Sequence, residues 1–305
     1  MSTEKCDEKK GCQSCETSEK CSQEEKDAHE QKMLDEKMAY VKHKFMVVSG
    51  KGGVGKSTVA VNLAVTLAKE GYDVGLMDAD IHGPNIPKML GLEDERPGAT
   101  KEGLLPITTI HGLKVISIAF FLQSKDDAVI WRGPLKHSLI KQFLGEVCWG
   151  DLDYLIIDLP PGTGDEALSV AHLLKSIDGA VIVTTPQDVA LLDSRKAVTF
   201  TRQLKIPLVG IVENMSGFNC PHCNEPIDLF KKGGGEKAAR DMLIPFLGRI
   251  PIYPEIVVSG DSGKPLVAIS GHEEAKNAFT EISKNWRKLL EGKSKAGDKK
   301  SALVT

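Results

Sequence analysis

Gly50-Lys51-Gly52-Gly53-Val54-Gly55-Lys56-Ser57, entered from the apolar run Phe45-Met46-Val47-Val48, decides the fold. The stretch fits G-x-x-x-x-G-K-[ST], a phosphate-binding loop. The run before it reads as a short buried strand. After it, Val59, Leu63, Val65, Leu67 and Ala68 lie in a helix-compatible stretch ending near Gly71. Glycines let successive N–H groups converge on phosphate oxygens, and the helix N-terminus adds a favourable dipole. Gly52, Gly53, Val54, Gly55, Lys56, Ser57 and Thr58 are therefore the expected nucleotide-binding residues, with Lys56 on the terminal phosphates and Ser57 a magnesium ligand.

Working outward, apolar segments recur at intervals of about thirty to forty residues with helical stretches between them, the pattern of a parallel sheet covered on both faces. The chain has 305 residues and 41% hydrophobic content, enough for a sizeable core. The expected fold is α/β: a single doubly wound, mostly parallel sheet in a P-loop NTPase domain spanning residues 44–291. Residues 1–43 are crowded with Glu, Lys, Asp and Gln and have almost no large apolar side chain before Met33 and Leu34. They read as a flexible cysteine-bearing tail with a charged, possibly helical linker. Ala275, Ala278, Phe279, Ile282, Trp286, Leu289 and Leu290 recur at helical spacing, so a last helix packs on the domain, and residues 292–305 read as a disordered polar tail.

Phosphoryl transfer needs a carboxylate near the attacking water and another beside the metal. Val74-Gly75-Leu76-Met77 leads into Asp78-Ala79-Asp80-Ile81-His82-Gly83-Pro84-Asn85. Tyr154-Leu155-Ile156-Ile157 leads into Asp158-Leu159-Pro160-Pro161-Gly162-Thr163-Gly164-Asp165. Both are strands with carboxylates at their exits; Asp165 is expected to cap the following helix. Pro207-Leu208-Val209-Gly210-Ile211-Val212 reads as another buried strand and delivers Glu213-Asn214-Met215.

Lys51 makes the loop K-G-G-x-G-K-[ST]. In that form the chain resembles the family of MinD, ParA, the nitrogenase iron protein and the arsenite-pump ATPase. The resemblance implies a slow, dimer-dependent ATPase in which Lys51 reaches across a homodimer to the partner's nucleotide. It further implies that Asp80 positions or polarises water, Asp158 supports Mg2+, Gly162 swings toward the γ-phosphate and Asn214 reads adenine. Lys51, Lys56 and Asp80 are the implied catalytic residues. In Ile250-Pro251-Ile252-Tyr253-Pro254-Glu255 the family more often has an acidic residue where this chain has Tyr253.

Seven cysteines are present, and six are grouped: Cys6, Cys12, Cys15 and Cys21, then Cys220 and Cys223. Cys148 stands alone and reads as a buried thiol. Cys220-Pro221-His222-Cys223 offers two thiolates, half of a tetrahedral or cluster site, which a two-fold axis would complete. A [4Fe–4S] cluster, a structural zinc ion and a redox disulfide are all chemically open to this pair. The N-terminal C-x5-C-x2-C-x5-C suffices for one [4Fe–4S] cluster or for zinc.

Together with Gly50 to Thr58, the two aspartate segments and Asn214-Met215-Ser216-Gly217-Phe218, the Cys220 pair makes residues from about Lys44 to Leu290 resemble the Mrp (ApbC) iron–sulfur carrier ATPases and the cytosolic cluster-assembly scaffolds. That resemblance implies an ATP-dependent homodimer that assembles a bridging [4Fe–4S] cluster at Cys220 and Cys223. The cluster would be built from cluster or iron and sulfur donors and passed to apo iron–sulfur proteins. The N-terminal group resembles the ferredoxin-like site of the eukaryotic-type scaffolds in its C-x2-C-x5-C part, so Cys12, Cys15 and Cys21 transfer more directly than Cys6. The alternative is a partitioning or regulatory ATPase with structural zinc. A reductase like the nitrogenase iron protein fits less well, because its cluster ligands are far apart in sequence. The net charge of −3 with interspersed signs argues against nucleic acid as partner. No apolar run approaches the ~20 residues of a membrane span, and no export signal is evident, so a soluble cytoplasmic protein is expected.

Overall fold

A computed structural model describes residues 22–124, 127, 131–220 and 222–301, with side chains for all of these except Gln23 and residues 292–301. The elements run α1 (Gln23–Met38), β1 (Val41–Ser49), α2 (Lys56–Lys69), β2 (Val74–Asp78), α3 (Ile86–Leu90), β3 (Ala99–Thr100), β4 (Gly103–Leu104), β5 (Ile107–Thr108), β6 (Lys114–Ser117), α4 (Gly133–Gly145), β7 (Leu152–Asp158), α5 (Asp165–Leu173), β8 (Gly179–Thr184), α6 (Asp188–Gln203), β9 (Leu208–Asn214), β10 (Phe218–Asn219), β11 (Pro226–Ile227), α7 (Gly234–Asp241), β12 (Phe246–Ile250), α8 (Pro254–Asp261) and α9 (Glu273–Ser301).

Eight strands form one sheet in the order β12-β9-β8-β1-β7-β2-β6-β5. Every neighbouring pair is parallel except the antiparallel edge pair β5–β6. The expected α/β doubly wound architecture is present. β1, β2, β7 and β8 are buried along nearly their whole length, as strands covered on both faces must be. Helix α2 packs on α9, and α4 packs on α5; with the right-handed crossovers that parallel strands adopt, these two pairs cover opposite faces of the sheet. The chain leaves β1 toward one face and the adjacent β7 toward the other. That reversal of winding opens a crevice at the strands' C-terminal ends, the usual ligand position in open α/β sheets.

Two boundaries differ from expectation. β1 begins at Val41, and α1 ahead of it is docked on α4. Although α1 is highly charged, Leu34 and Met38 share one face and are buried. Its polar face is fastened by Lys141–Glu30 (2.6 Å), by Lys175–Asp35, and by Gln31 donating to the Leu173 carbonyl (3.0 Å). Ser22 and Glu25 close a capping box at its start. At the other end α9 continues to Ser301, past the expected limit at 291. The spacing predicted for its apolar face holds: Ala275, Phe279, Ile282 and Trp286 are buried, with Trp286 edge-on to Phe45 at 4.5 Å. Among the described residues no helix is long and apolar enough to cross a membrane.

Candidate functional site: a phosphate loop beside a cysteine hairpin

The loop between β1 and α2 takes the form its sequence demands. Gly53 and Gly55 both have φ +80°, the left-handed region that glycine enters without steric cost. At Gly55 a side chain is excluded twice over, because a Cβ there would lie 2.3 Å from Asn214 Nδ2. Gly55 is also the N-cap of α2 and offers no side-chain cap, so the first-turn N–H groups of α2 keep their donors for a ligand.

Three strand ends bring the charges together. Pairing sets Val47 and Asp78 both opposite Asp158. Asp158 is fully buried; its Oδ1 accepts from Lys56 Nζ at 2.6 Å and its Oδ2 from Ser57 Oγ at 2.5 Å. Lys56 Nζ also reaches Ser57 Oγ at 3.1 Å. A buried carboxylate touching the loop's serine hydroxyl is the hard-oxygen donor set a magnesium–nucleotide complex uses.

Asp80 lies just past the end of β2, its carboxylate accepting from the Gly83 N–H at 3.2 Å. Burial raises its pKa, and nearby Lys56 opposes that rise. Gly162 has φ +91° and donates its N–H to the Ser49 carbonyl at 2.8 Å, which holds the loop after β7 against the end of β1. Lys51 is half-buried, and no ion pair among the described residues engages it. Asp165 does not cap: Gly164 is the N-cap of α5, and Asp165 is its first helical residue.

Asn214 ends β9 with its Nδ2 donating to the Val54 carbonyl at 2.9 Å. With Thr58 and Tyr253 it lines a cavity of about 340 Å³ on the α2 side of the loop, whose walls include Met89, Pro251 and Ile256. A mostly apolar slot that also takes in the amides of Asn62, Asn85 and Asn214 suits a purine base. Cys220 and Cys223 sit in the turn that joins β10 to β11, where Cys220 donates its N–H to the Glu225 carbonyl (2.9 Å) and its carbonyl accepts from the Asn224 N–H (2.8 Å). The backbone N–H of Cys223, then that of His222, then the Cys223 thiol hold the Cys220 thiol below its usual range, favouring the thiolate that binds metal. The pair opens on a groove of about 520 Å³ that also takes in His222, Tyr253, Glu255 and Glu274. Burial and then Glu274 push Tyr253 up to about 12. Among the described residues no three His, Cys, Asp or Glu side chains converge as a metal site. Cys6, Cys12, Cys15 and Cys21 lie outside the described residues. Cys148 is only partly buried and follows α4.

A sequence profile described as ParA, NUBPL iron-transfer P-loop NTPase, matches residues 40–287. The chain belongs to this family. An iron–sulfur cluster carrier protein of Methanocaldococcus jannaschii is 48% identical to this NUBPL-family chain over 289 residues, covering 94% of it and 98% of the relative. A cytosolic Fe–S cluster assembly factor NUBP2 homolog of Nematostella vectensis is 50% identical over 246 residues, covering 79% and 91%. Among solved structures, a nucleotide-binding protein in complex with ADP from Archaeoglobus fulgidus matches at 44% identity and a TM-score of 0.69, covering 77% of this chain and 91% of that one. The cell division ATPase MinD of Pyrococcus furiosus shares 25% identity and a TM-score of 0.61, covering 81% and 99%.

Three features of this site escape sequence reasoning. Asp78 is buried and pushed up to about 8, by desolvation and then by Asp158, while Ser117 Oγ donates to it at 2.9 Å. Lys136 of α4 pairs with the buried Glu166 of α5 at 2.8 Å, tying the second aspartate loop to α4. Glu213, fully buried, gathers donors from distant residues. Asp78 and Glu213 stand in the quoted motifs and Glu166 directly follows one, but their burial depends on strand order, which no local pattern encodes.

Proposed function

We propose that this chain is an ATP-hydrolysing iron–sulfur cluster scaffold and carrier that works as a homodimer in the cytoplasm. The observation that carries this reading is the shared wall between the two sites: Pro251, Ile252 and Tyr253 line both the cavity beside the phosphate loop and the groove of Cys220 and Cys223. The names of the relatives, cluster carrier and cytosolic assembly factor, support the same reading.

ATP with Mg2+ would occupy the loop, Lys56 turning from Asp158 to the terminal phosphates while Asp158 and Ser57 hold the metal's oxygen environment. Metal-bound nucleotide supplies charge neutralisation on the transferred phosphoryl group. Asp80, kept close to the phosphates by the Gly83 N–H, orients or polarises the attacking water, and Gly162 approaches the γ-phosphate. Lys51 acts on the partner's nucleotide, so hydrolysis waits on dimerisation. The cargo is a [4Fe–4S] cluster shared by Cys220 and Cys223 of both subunits, received from iron and sulfur donors and delivered to apo-proteins. Cys6, Cys12, Cys15 and Cys21 would hold a second cluster.

The test is transfer from anaerobically reconstituted protein to an apo-acceptor. The Cys220→Ser/Cys223→Ser double variant should bind Mg–ADP as the metal-free wild type does and lose transfer. Transfer that survives the double replacement rejects the assignment, and stoichiometric zinc with little iron in the native protein favours a structural-metal ATPase instead.

A further inference from the structure

Glu213 occupies a position that the nucleotide site and the cysteine pair leave unexplained. Its carboxylate is wholly buried at the end of β9, where an unpaired charge is costly. It accepts from the Ser216 hydroxyl, from the Gly233 N–H at 2.9 Å and from the Gly235 N–H, and Arg249 Nε stands 4.0 Å away as countercharge. Ser216 opens and Gly235 closes the excursion of chain that carries the β10–β11 hairpin with Cys220 and Cys223. Both ends of the cysteine-bearing segment are thus fastened to one side chain. Gly235 is closely packed here: a Cβ on it would stand 3.0 Å from Glu213 Cβ, so a side chain would push on Glu213.

The next residue looks the other way. Asn214 holds the Val54 carbonyl of the phosphate loop, and a Cβ on Gly55 would touch both Asn214 and Met215. Met215 has φ 57°, a left-handed conformation uncommon for a non-glycine residue. The turn is held by Ser216 N–H on the Ile250 carbonyl (3.0 Å) and by Ile252 N–H on the Gly217 carbonyl (2.8 Å). A tightly fixed turn between two sites has two rigid ends and little slack, so displacement at one end reaches the other.

We propose that Glu213 is a positioning residue that couples nucleotide at the phosphate loop to the geometry of the Cys220–Cys223 pair. A shift of the Val54 carbonyl moves Asn214; Glu213, one peptide away, carries that motion to both anchors of the cysteine hairpin. The turn Asn214–Gly217 is the switching element. Coupling of this kind is reciprocal, so occupancy of the thiols changes nucleotide affinity by the same factor. The proposal rests on the reading of the cysteine pair as the cargo site but concerns only its thiols.

The experiment uses the reduced, metal-free full chain and measures peptide-resolved iodoacetamide alkylation of Cys220 and Cys223 with and without saturating Mg–ADP. In wild type the nucleotide should change the alkylation rate by about fivefold or more. In Glu213→Gln, which keeps shape but loses the charged acceptor, the ratio should fall close to one while Mg–ADP affinity stays within about twofold. Ser216→Ala, which removes one anchor, should reduce the ratio part of the way and covers the case in which Glu213→Gln does not fold. A merely structural role would lower the thermal midpoint of the variants and leave the nucleotide ratio intact. A wild-type ratio of one, or a full ratio in both variants, overturns the coupling. Iron uptake, assayed separately, decides the carrier reading: its failure beside an intact ratio removes the carrier and leaves the coupling.

Discussion

At the scale of single residues, the active end of the sheet is a problem of crowded carboxylates. Asp78, Asp80 and Asp158 lie near one lysine, and only Asp158 has Lys56 as direct partner. Burial, and then the charge of Asp158, push the Asp78 carboxyl up to about 8, far above the ordinary carboxylate range, which favours its protonated form at neutral pH. A raised folded-state pKa means the native protein binds the proton more tightly than the unfolded chain. Its stabilising contribution is full below about pH 4 and lost as pH rises through about 8. Asp78→Asn, which mimics the protonated acid, should therefore flatten the fall in unfolding free energy between about pH 5 and 8, by up to about 1.4 kcal/mol per pH unit. Urea titrations at several pH values test this, and an unchanged slope would show that Asp78 is ionised in the fold. Lys51 is tested by mixing Lys51→Ala with Lys56→Ala subunits. If Lys51 acts across the dimer, each mixed dimer regains one competent site and statistical mixing returns about a quarter of wild-type ATPase activity. Two inactive proteins that stay inactive on mixing place Lys51 in its own site.

Elements carry the next layer, and here legibility divides by range. The phosphate loop was readable because its chemistry is local: the glycines, lysine and serine that make it are consecutive, and β1, α2, β2, β7 and β9 follow where apolar runs predicted them. Asp158 reaches Lys56 across 102 positions, yet it too could be named, because its strand-exit motif is specific. Glu213 could not be assigned a role. Its donors at Gly233 and Gly235 carry no side-chain signal, and only the fold brings them under its carboxylate. The sequence allowed a helical linker here but not the docking of α1 on the domain, because two buried side chains among sixteen residues are too few to raise a periodic signal above the charge. Those two still matter. Leu34→Ala should lower unfolding stability by about 2–5 kcal/mol, the usual cost of a cavity under a buried leucine. A loss under about 0.5 kcal/mol, measured by urea denaturation, would show that α1 is not part of the cooperative unit.

For the whole molecule, the decisive quantity is how much metal the chain holds and where. Among the described residues the Cys220–Cys223 pair is two free thiols on a hairpin with no third His, Cys, Asp or Glu grouped with them, an arrangement suited to sharing a metal or cluster across a two-fold axis. The N-terminal set has four cysteines in one chain, so the second cluster proposed there would need no partner. The two groups therefore make separable contributions. Anaerobically reconstituted protein should contain about six iron and six sulfide per monomer, four from a complete cluster and two from half of a shared one. Cys220→Ser/Cys223→Ser should lower this to about four, and replacing Cys6, Cys12, Cys15 and Cys21 with serine should lower it to about two. Dimerisation of cluster-loaded protein, followed by sedimentation, should weaken only in the first variant, since only there is the bridging cargo lost. If the first variant keeps six iron, the hairpin is not a cluster site, and the shared wall at Tyr253 serves the nucleotide alone.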